Sequence, residues 1–282
     1  MNILITNDDG YMAKGIRTLA KIMRPFGDVS VIAPKTHQSG MGMAVSLGLR
    51  QIKYKDLGTD GDGIRWAYLD ATPASCVKYG INFADPLPDV VVCGINHGSN
   101  ASAAACYSGT LGAAEEAALN GIPAIGVSLD SLHTDADFSC VETYFPEIFR
   151  RLLASLPAAG DGIFYNVNFP ALPPEQIRGV RVGHQGKGRW IKEFTEWAPE
   201  LFQRFGITPE AFGRSTEVEL EEGEKLYMMV GEYVDDPRNT EGADHRYMEQ
   251  GFIAVTPQQV DQTHYPEKER LIRLGFNQDF QA

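Results

Sequence analysis

Residues 1–34 read MNILITNDDGYMAKGIRTLAKIMRPFGDVSVIAP, and their order decides the fold. Asn2 to Thr6 is a short apolar run that ends in the polar turn sequence Asn7-Asp8-Asp9-Gly10. Ile16, Leu19, Ala20 and Met23 then recur at helical spacing, predicting a helix over 15–26. Asp28 to Ala33 is a second apolar run, stopped by Pro34. Strand, loop, helix, strand is the unit of a parallel sheet with right-handed crossovers.

The pattern continues outward. Strands are predicted at 65–69 (RWAYL), 89–93 (DVVVC), 122–128 (IPAIGVS) and 162–167. Thr72 and Pro73 mark a capped helix start, with the helix body at 76–83. Small polar residues make 94–105 a loop, and an Ala-rich helix follows over 108–120 with Gly121 as its stop. A further helix is predicted over 138–156. From about Pro170 the texture changes to aromatics among charges, including Trp190, Phe194, Trp197, Phe202 and Phe205. Alternation in STEVEL (215–220) and KLYMMV (225–230) predicts antiparallel strands there. The fold class is therefore α/β: a Rossmann-like three-layer sandwich with a mostly parallel sheet, plus a β-rich C-terminal extension. The expected division is an α/β core over 1–168 and a C-terminal region over 169–282. That region holds a hairpin or arm suited to self-association, and its 251–256 strand (GFIAVT) returns to the core.

Composition narrows the class. The chain has 282 residues, 43% hydrophobic and 22% charged, which fits a globular protein and excludes wholesale disorder. Its 25 basic against 37 acidic residues give a net charge of −12, which repels long nucleic acid and anionic membranes. No apolar run approaches the roughly 18 residues of a membrane span. Met1 to Thr6 lacks a basic flank and meets Asp8 and Asp9 too soon for a signal peptide. Cys76, Cys93, Cys106 and Cys140 show no CxxC pairing, so free thiols in a reducing, cytoplasmic compartment are expected.

Three polar loops follow predicted parallel strands, where open α/β sheets bind ligands. The first carries Asp8-Asp9, whose hard oxygens suit magnesium, manganese or calcium; a helix cap with a solvated neighbour is the competing reading. The second is Thr36-His37-Gln38-Ser39-Gly40, and the third is Gly94-Ile95-Asn96-His97-Gly98-Ser99-Asn100. Ser39, Asn96 and Asn100 offer neutral oxygens. Ser108-Gly109-Thr110 opens the Ala-rich helix, either as an anion site or as an ordinary cap. His97 and His37 lie in the loops and either approach a ligand or face solvent. Asp244-His245 either orients a group or forms a polar turn. No GxGxxG follows the first strand, and GxxxxGK[ST] and GxSxG are absent, which removes dinucleotide, Walker-type and serine-hydrolase readings.

Taken in order, ITNDDG, VIAP with SG, DATPASCV, DVVVCGINHGSN, YSGTLGAAEEA, NGIPAIGVSLD, NVNFP and GFIAVTP resemble the SurE family. The resemblance is continuous to about residue 130 and patchy to about 263. It implies a divalent-metal-dependent phosphatase of nucleoside 5′-monophosphates, using one Mg2+ or Mn2+ ion. It implies Asp8, Asp9, Ser39 and Asn96 as metal ligands, with Asp8 or Asp9 also serving catalysis as general base. Asn100, Ser108, Gly109 and Thr110 match the phosphate-side positions. Dimers or tetramers built by exchange of C-terminal elements are implied as well. The loop after Ser39 reads GMGMAVSLGL, and a YWIG pattern before the last strand is missing. These departures leave two other expectations: a phosphatase of other small phosphates such as short polyphosphate, or a non-catalytic nucleotide-binding regulatory protein.

Overall fold

The computed structural model describes residues 1–48, 51–156, 160–203 and 218–277. The first unit forms as its sequence predicts: β1 (Asn2–Thr6), α1 (Lys14–Met23) and β2 (Asp28–Pro34). Helix α1 ends at Met23, three residues before the predicted end, because Pro25 tightens 24–26 into a 3-10 turn. Then come β3 (Tyr54–Thr59), β4 (Arg65–Leu69), α2 (Pro73–Phe83), β5 (Val90–His97) and α3 (Gly109–Leu119). The core continues through β6 (Ala124–Leu129), α4 (Ser139–Ala154) and β7 (Ile163–Phe169). Thr72 caps α2 as expected, its hydroxyl accepting from the Ser75 N–H.

One sheet organises the chain, in the order β3-β4-β2-β1-β5-β6-β7, extended by two later strands. Strands β4, β2, β1, β5, β6 and β7 are mutually parallel. Alternation along them feeds two separate cores. Ile3, Ile5, Val90, Val92, Ile125 and Val127 pack with Ile16 and Leu19 of α1 and with Phe145 and Phe149 of α4. Leu4, Val91, Cys93 and Ala124 pack with Val77 of α2 and Leu111 of α3 on the opposite face. Both faces are covered, which is why these strands read as unbroken apolar runs. The first crossover leaves β1 for β2, whereas α3 carries the chain from β5 to β6 on the other face. The chain directions diverge between β1 and β5, so a crevice opens at the carboxyl ends of those two strands.

Two departures from the sequence reading bear on that crevice. Strand β5 does not stop at Cys93. It slips register there and resumes with Asn96 opposite Ser128 and His97 opposite Leu129. Gly94 permits the slip: its φ is +131°, and a Cβ there would stand 2.2 Å from the Val127 carbonyl oxygen. The other departure is β3, an exposed edge strand antiparallel to β4, whose exposure leaves no hydrophobic alternation to read.

The C-terminal region begins with β8 (Gly179–Val182), followed by β9 (Gly188–Ile191), β10 (Phe194–Glu196) and α5 (Glu200–Gln203). It continues through β11 (Tyr227–Met229), β12 (Glu232–Asp235), α6 (Asp244–Glu249), β13 (Phe252–Gln259) and α7 (Tyr265–Arg273). β9 pairs with β12 and β10 with β11, so 188–196 and 227–235 form one antiparallel ribbon, interrupted where Lys192 takes a φ of +53°. KLYMMV thus supplies β11. The strand expected in STEVEL does not form over 218–220, and its first three residues lie outside those described. Strand β13 enters the main sheet between β7, antiparallel, and β8, parallel. The four cysteines are unpaired. Among the described residues no helix is long and apolar enough to cross a membrane.

Candidate active site

The chain leaves β1 into Asn7–Gly10, a turn tied by the Asn7 amide donating to the Gly10 carbonyl at 3.0 Å. The loop after β2 is sewn against it: the Gln38 N–H donates to the Asp8 carbonyl at 2.6 Å, and the Tyr11 N–H to the Pro34 carbonyl at 3.0 Å. Ser39, exposed, is the next residue after that anchor.

Asp8 is buried, 3% exposed, and Asp9 is half-buried as a residue but has a side chain only 6% exposed. Thr110 Oγ1 donates to Asp8 Oδ1 at 2.6 Å. The main-chain N–H of His97 donates to Asp9 Oδ2 at 3.1 Å, and His37 Nδ1 stands 3.4 Å from Asp9 Oδ1. Among the described residues no lysine or arginine pairs with either carboxylate. Lys14, a nearby cation in sequence, spends its ammonium on the carbonyls of Asp135 and Ala136.

Burial raises the pKa of Asp8, against the opposing donors Thr110, Gly109 and its own backbone. Asp9 is pushed well above the usual carboxylate range, first by burial and then by the charge of Asp8, with the His97 N–H opposing. Burial lowers the His37 imidazole to about 4, so it stands beside Asp9 as a neutral ring at pH 7. Two adjacent buried carboxylates without a cation are costly. That cost is the strongest local reason to read a cation site.

The donor set fits a hard divalent ion. Asp8 and Asp9 would supply charge, and Ser39 and Asn96, at the flanking strand ends, are of the neutral-oxygen type that such an ion accepts. Asn96 is buried on the resumed segment of β5, with its Nδ2 donating to the Gly98 carbonyl at 2.7 Å, which orients the side chain. Among the described residues no group of three or more His, Cys, Asp or Glu is placed to hold a metal ion.

The helix start after Tyr107 commits both of its hydroxyls within the chain. Ser108 Oγ accepts from the Leu111 N–H at 3.0 Å, so this hydroxyl caps α3. The Thr110 hydroxyl is spent on Asp8. Gly109 lies against Asp8, where an added Cβ would be 2.8 Å from Asp8 Cβ and 3.0 Å from Oδ2. The positive end of α3 therefore faces the Asp8 carboxylate directly. His97 meets Asp9 through its backbone, while its ring Nδ1 is 2.8 Å from the His133 carbonyl and packs edge-on to Phe138.

Asn100 is held by residues the sequence reading did not single out. Its N–H donates to Asn168 Oδ1 at 2.8 Å, its Nδ2 donates to Ser128 Oγ at 2.8 Å, and its carbonyl accepts from Asn166 Nδ2 at 2.9 Å. Asn166 and Asn168 are fully buried on β7 and joined at 2.7 Å. Their signal was two asparagines alternating in an otherwise apolar strand, since buried amides are retained where they hold backbone. Asn168→Ala would strand the Asn100 N–H and is expected to cost about 1–3 kcal/mol by urea denaturation. A loss under 0.5 kcal/mol would show that the loop at Asn100 does not depend on this bond.

The family model for survival protein SurE matches residues 3–192, from β1 to the ribbon's first strand. A 5′-nucleotidase SurE of Cytophaga hutchinsonii is 37% identical over 264 residues, covering 93% of this chain and 92% of that protein. A 5′-nucleotidase SurE of Flavobacterium psychrophilum is 35% identical over 263 residues, with 93% and 92% covered. The crystal structure of a SurE protein from Aquifex aeolicus superposes with a TM-score of 0.74 at 28% identity, covering 98% of this chain and 100% of that one. Because the matches take in the acidic turn, both neighbouring loops and the C-terminal strand that rejoins the sheet, the chain belongs to the SurE family.

Proposed function

We propose that this protein is a divalent-metal-dependent phosphomonoesterase acting on nucleoside 5′-monophosphates. The observation that carries the reading is the adjacent pair of buried side chains, Asp8 and Asp9, which no lysine or arginine among the described residues neutralises, with Asp8 against the N-terminus of α3. The 5′-nucleotidase names of relatives that match nine-tenths of the chain support the substrate class.

Asp8, Asp9, Ser39 and Asn96 would hold one ion, Mg2+ or Mn2+. When bound, it supplies Lewis-acid polarisation of a phosphoryl oxygen and lowers the pKa of a water. The chain's own residues do the rest. Thr110 and the His97 N–H fix the rotamers of Asp8 and Asp9, so the carboxylates are preorganised. One of the two aspartates, Asp8 or Asp9, would also take the proton from a nucleophilic water. Asn100, locked by Asn166 and Asn168, borders the phosphate side together with the first turn of α3. The net charge of −12 opposes an anionic substrate only at long range, because a divalent ion reverses the local sign.

The division at about residue 168, a cytoplasmic location and a dimer or tetramer held through the ribbon and C-terminal helix belong to the same proposal. Exposed Phe194, Tyr227 and Met229 on the ribbon support an associating arm. The test is phosphate release from a panel of nucleoside monophosphates with Mg2+ or Mn2+, with and without chelator. Release is expected to be lost on chelation and restored by added metal. Chelator-insensitive release, or none with any monophosphate under any metal, would overturn the reading.

A further inference from the structure

Asp244 lies far from Asp8 in sequence, is fully buried, and has no part in the chemistry above. Its carboxylate is surrounded by main-chain donors from two distant segments. Ser102 N–H donates to both oxygens, at 3.0 and 3.1 Å. Gly186 N–H donates to Oδ1 at 2.9 Å, and the N–H of His245 adds a third donor at 2.8 Å. Gly186 is close enough that a Cβ there would meet the His245 ring at 2.3 Å.

The two segments it joins are unlike in role. Ser102 has a φ of +55° and opens the 3-10 turn Ser102–Tyr107, which leads straight into Ser108, Gly109 and Thr110. On its other side, two residues away, is Asn100. Gly186 is the root of the ribbon, two residues before β9. A second bond joins the same parts: Ser102 Oγ is 2.5 Å from the hydroxyl of Tyr233 on β12, which also reaches the Lys187 carbonyl at 3.3 Å. A third layer fixes α6 to the ribbon, with His245 Nε2 3.0 Å and Arg246 Nη2 2.8 Å from the Asp235 carboxylate.

We infer that Asp244 is a positioning residue that locks the turn carrying Asn100 and the start of α3 to the root of the ribbon, with Tyr233 as its auxiliary. The inference rests on the proposed phosphatase reading for its kinetic consequence, though not for its structural one. A left-handed non-glycine residue such as Ser102 is held only by its surroundings. Here the surroundings are one carboxylate and one tyrosine hydroxyl, both delivered by the C-terminal region. The phosphate side of the site is then complete only when the ribbon root is seated. A displacement of about 1 Å at such a site can lower turnover by roughly a hundredfold.

The test uses the full chain with Asp244→Asn and, as the milder change, Tyr233→Phe. Asparagine keeps the volume but turns one acceptor into a donor facing N–H groups. Amide hydrogen exchange in 100–110 and 185–188 is expected to accelerate by about tenfold or more, with β1, β5 and β6 unchanged. Mn2+ affinity, measured calorimetrically, is expected to stay within about twofold, because Asp8 and Asp9 are held by other bonds. With a nucleoside monophosphate, kcat is expected to fall by roughly tenfold for Asp244→Asn and by severalfold for Tyr233→Phe. Unchanged exchange in 100–110 in both variants would overturn the inference. So would a uniform loss of protection across the whole sheet, which marks Asp244 as holding the fold and not the turn. Altered local exchange with full kcat and KM would also overturn its kinetic part. Wild-type protein inactive on every phosphomonoester would sink the phosphatase reading, and the exchange data would still decide the structural link.

Discussion

Asp9→Asn is expected to lower kcat/KM for nucleoside monophosphates by about 10³-fold or more, roughly 4 kcal/mol of transition-state stabilisation. The same change is expected to leave the metal-free protein as stable as wild type or slightly more so. The loss follows from charge. An asparagine keeps an oxygen to accept the His97 N–H, but the site drops from two charges to one and loses one of its two candidate proton acceptors. The stability follows from linkage. A carboxylate whose folded pKa lies above its unfolded value costs stability wherever it is ionised. For Asp9 that cost is absent below the ordinary carboxylate range and complete above its raised folded value. Its two causes, burial and the charge of Asp8, both disappear in the neutral amide. The measurements are steady-state kinetics, Mn2+ calorimetry and thermal unfolding in chelator. Retained Mn2+ affinity, or a metal-free melting point lowered by many degrees, would show that the Asp9 carboxylate serves the fold.

The opposition between site and stability explains what the sequence could and could not disclose. NDDG at the end of an apolar strand read equally as a cation site or as a helix cap, and the burial of both side chains favours the first. The first two strands, the Thr72 cap and the α1 face were legible, since each depends on residues within one turn or one pleat. Legibility failed where a partner lies far away in the chain. Thr110 read either as part of an anion site or as part of an ordinary cap, and only the fold reveals that its hydroxyl donates to Asp8, 102 residues earlier. Asp244 read either as orienting a group or as half of a polar turn, and nothing local pointed to its partner Ser102, 142 residues away. The Gly94–His97 segment was small and polar enough to read as loop. It pairs with β6 because a glycine at φ +131° lets two backbones close to a distance no side chain allows. β3 carries no readable pattern because every residue in it is exposed.

Gly109→Ala is expected to act on the site with nearly the force of removing a ligand, although a single methyl group is added. Gly109 is the first residue of α3, and alanine is a better helix former, so propensity alone favours the variant. Space opposes it. The new Cβ would stand 2.8 Å from Asp8 Cβ, an atom that cannot swing aside because β1 fixes the backbone behind it. Either α3 retreats or the Asp8 carboxylate turns, and both break the 2.6 Å bond from Thr110 and draw the positive helix end away from Asp8. The expected cost is about 1–3 kcal/mol in stability and roughly a hundredfold in kcat, with weaker Mn2+ binding. Thr110→Val separates the two effects, since it removes the bond without the steric push. Its expected loss is smaller, about tenfold, because valine nearly matches threonine in shape and leaves α3 in place. Wild-type turnover in Gly109→Ala would mean that the close approach of α3 to Asp8 is incidental. Equal losses in the two variants would assign the whole effect to the Thr110 hydroxyl, leaving the helix end no share in holding the carboxylate.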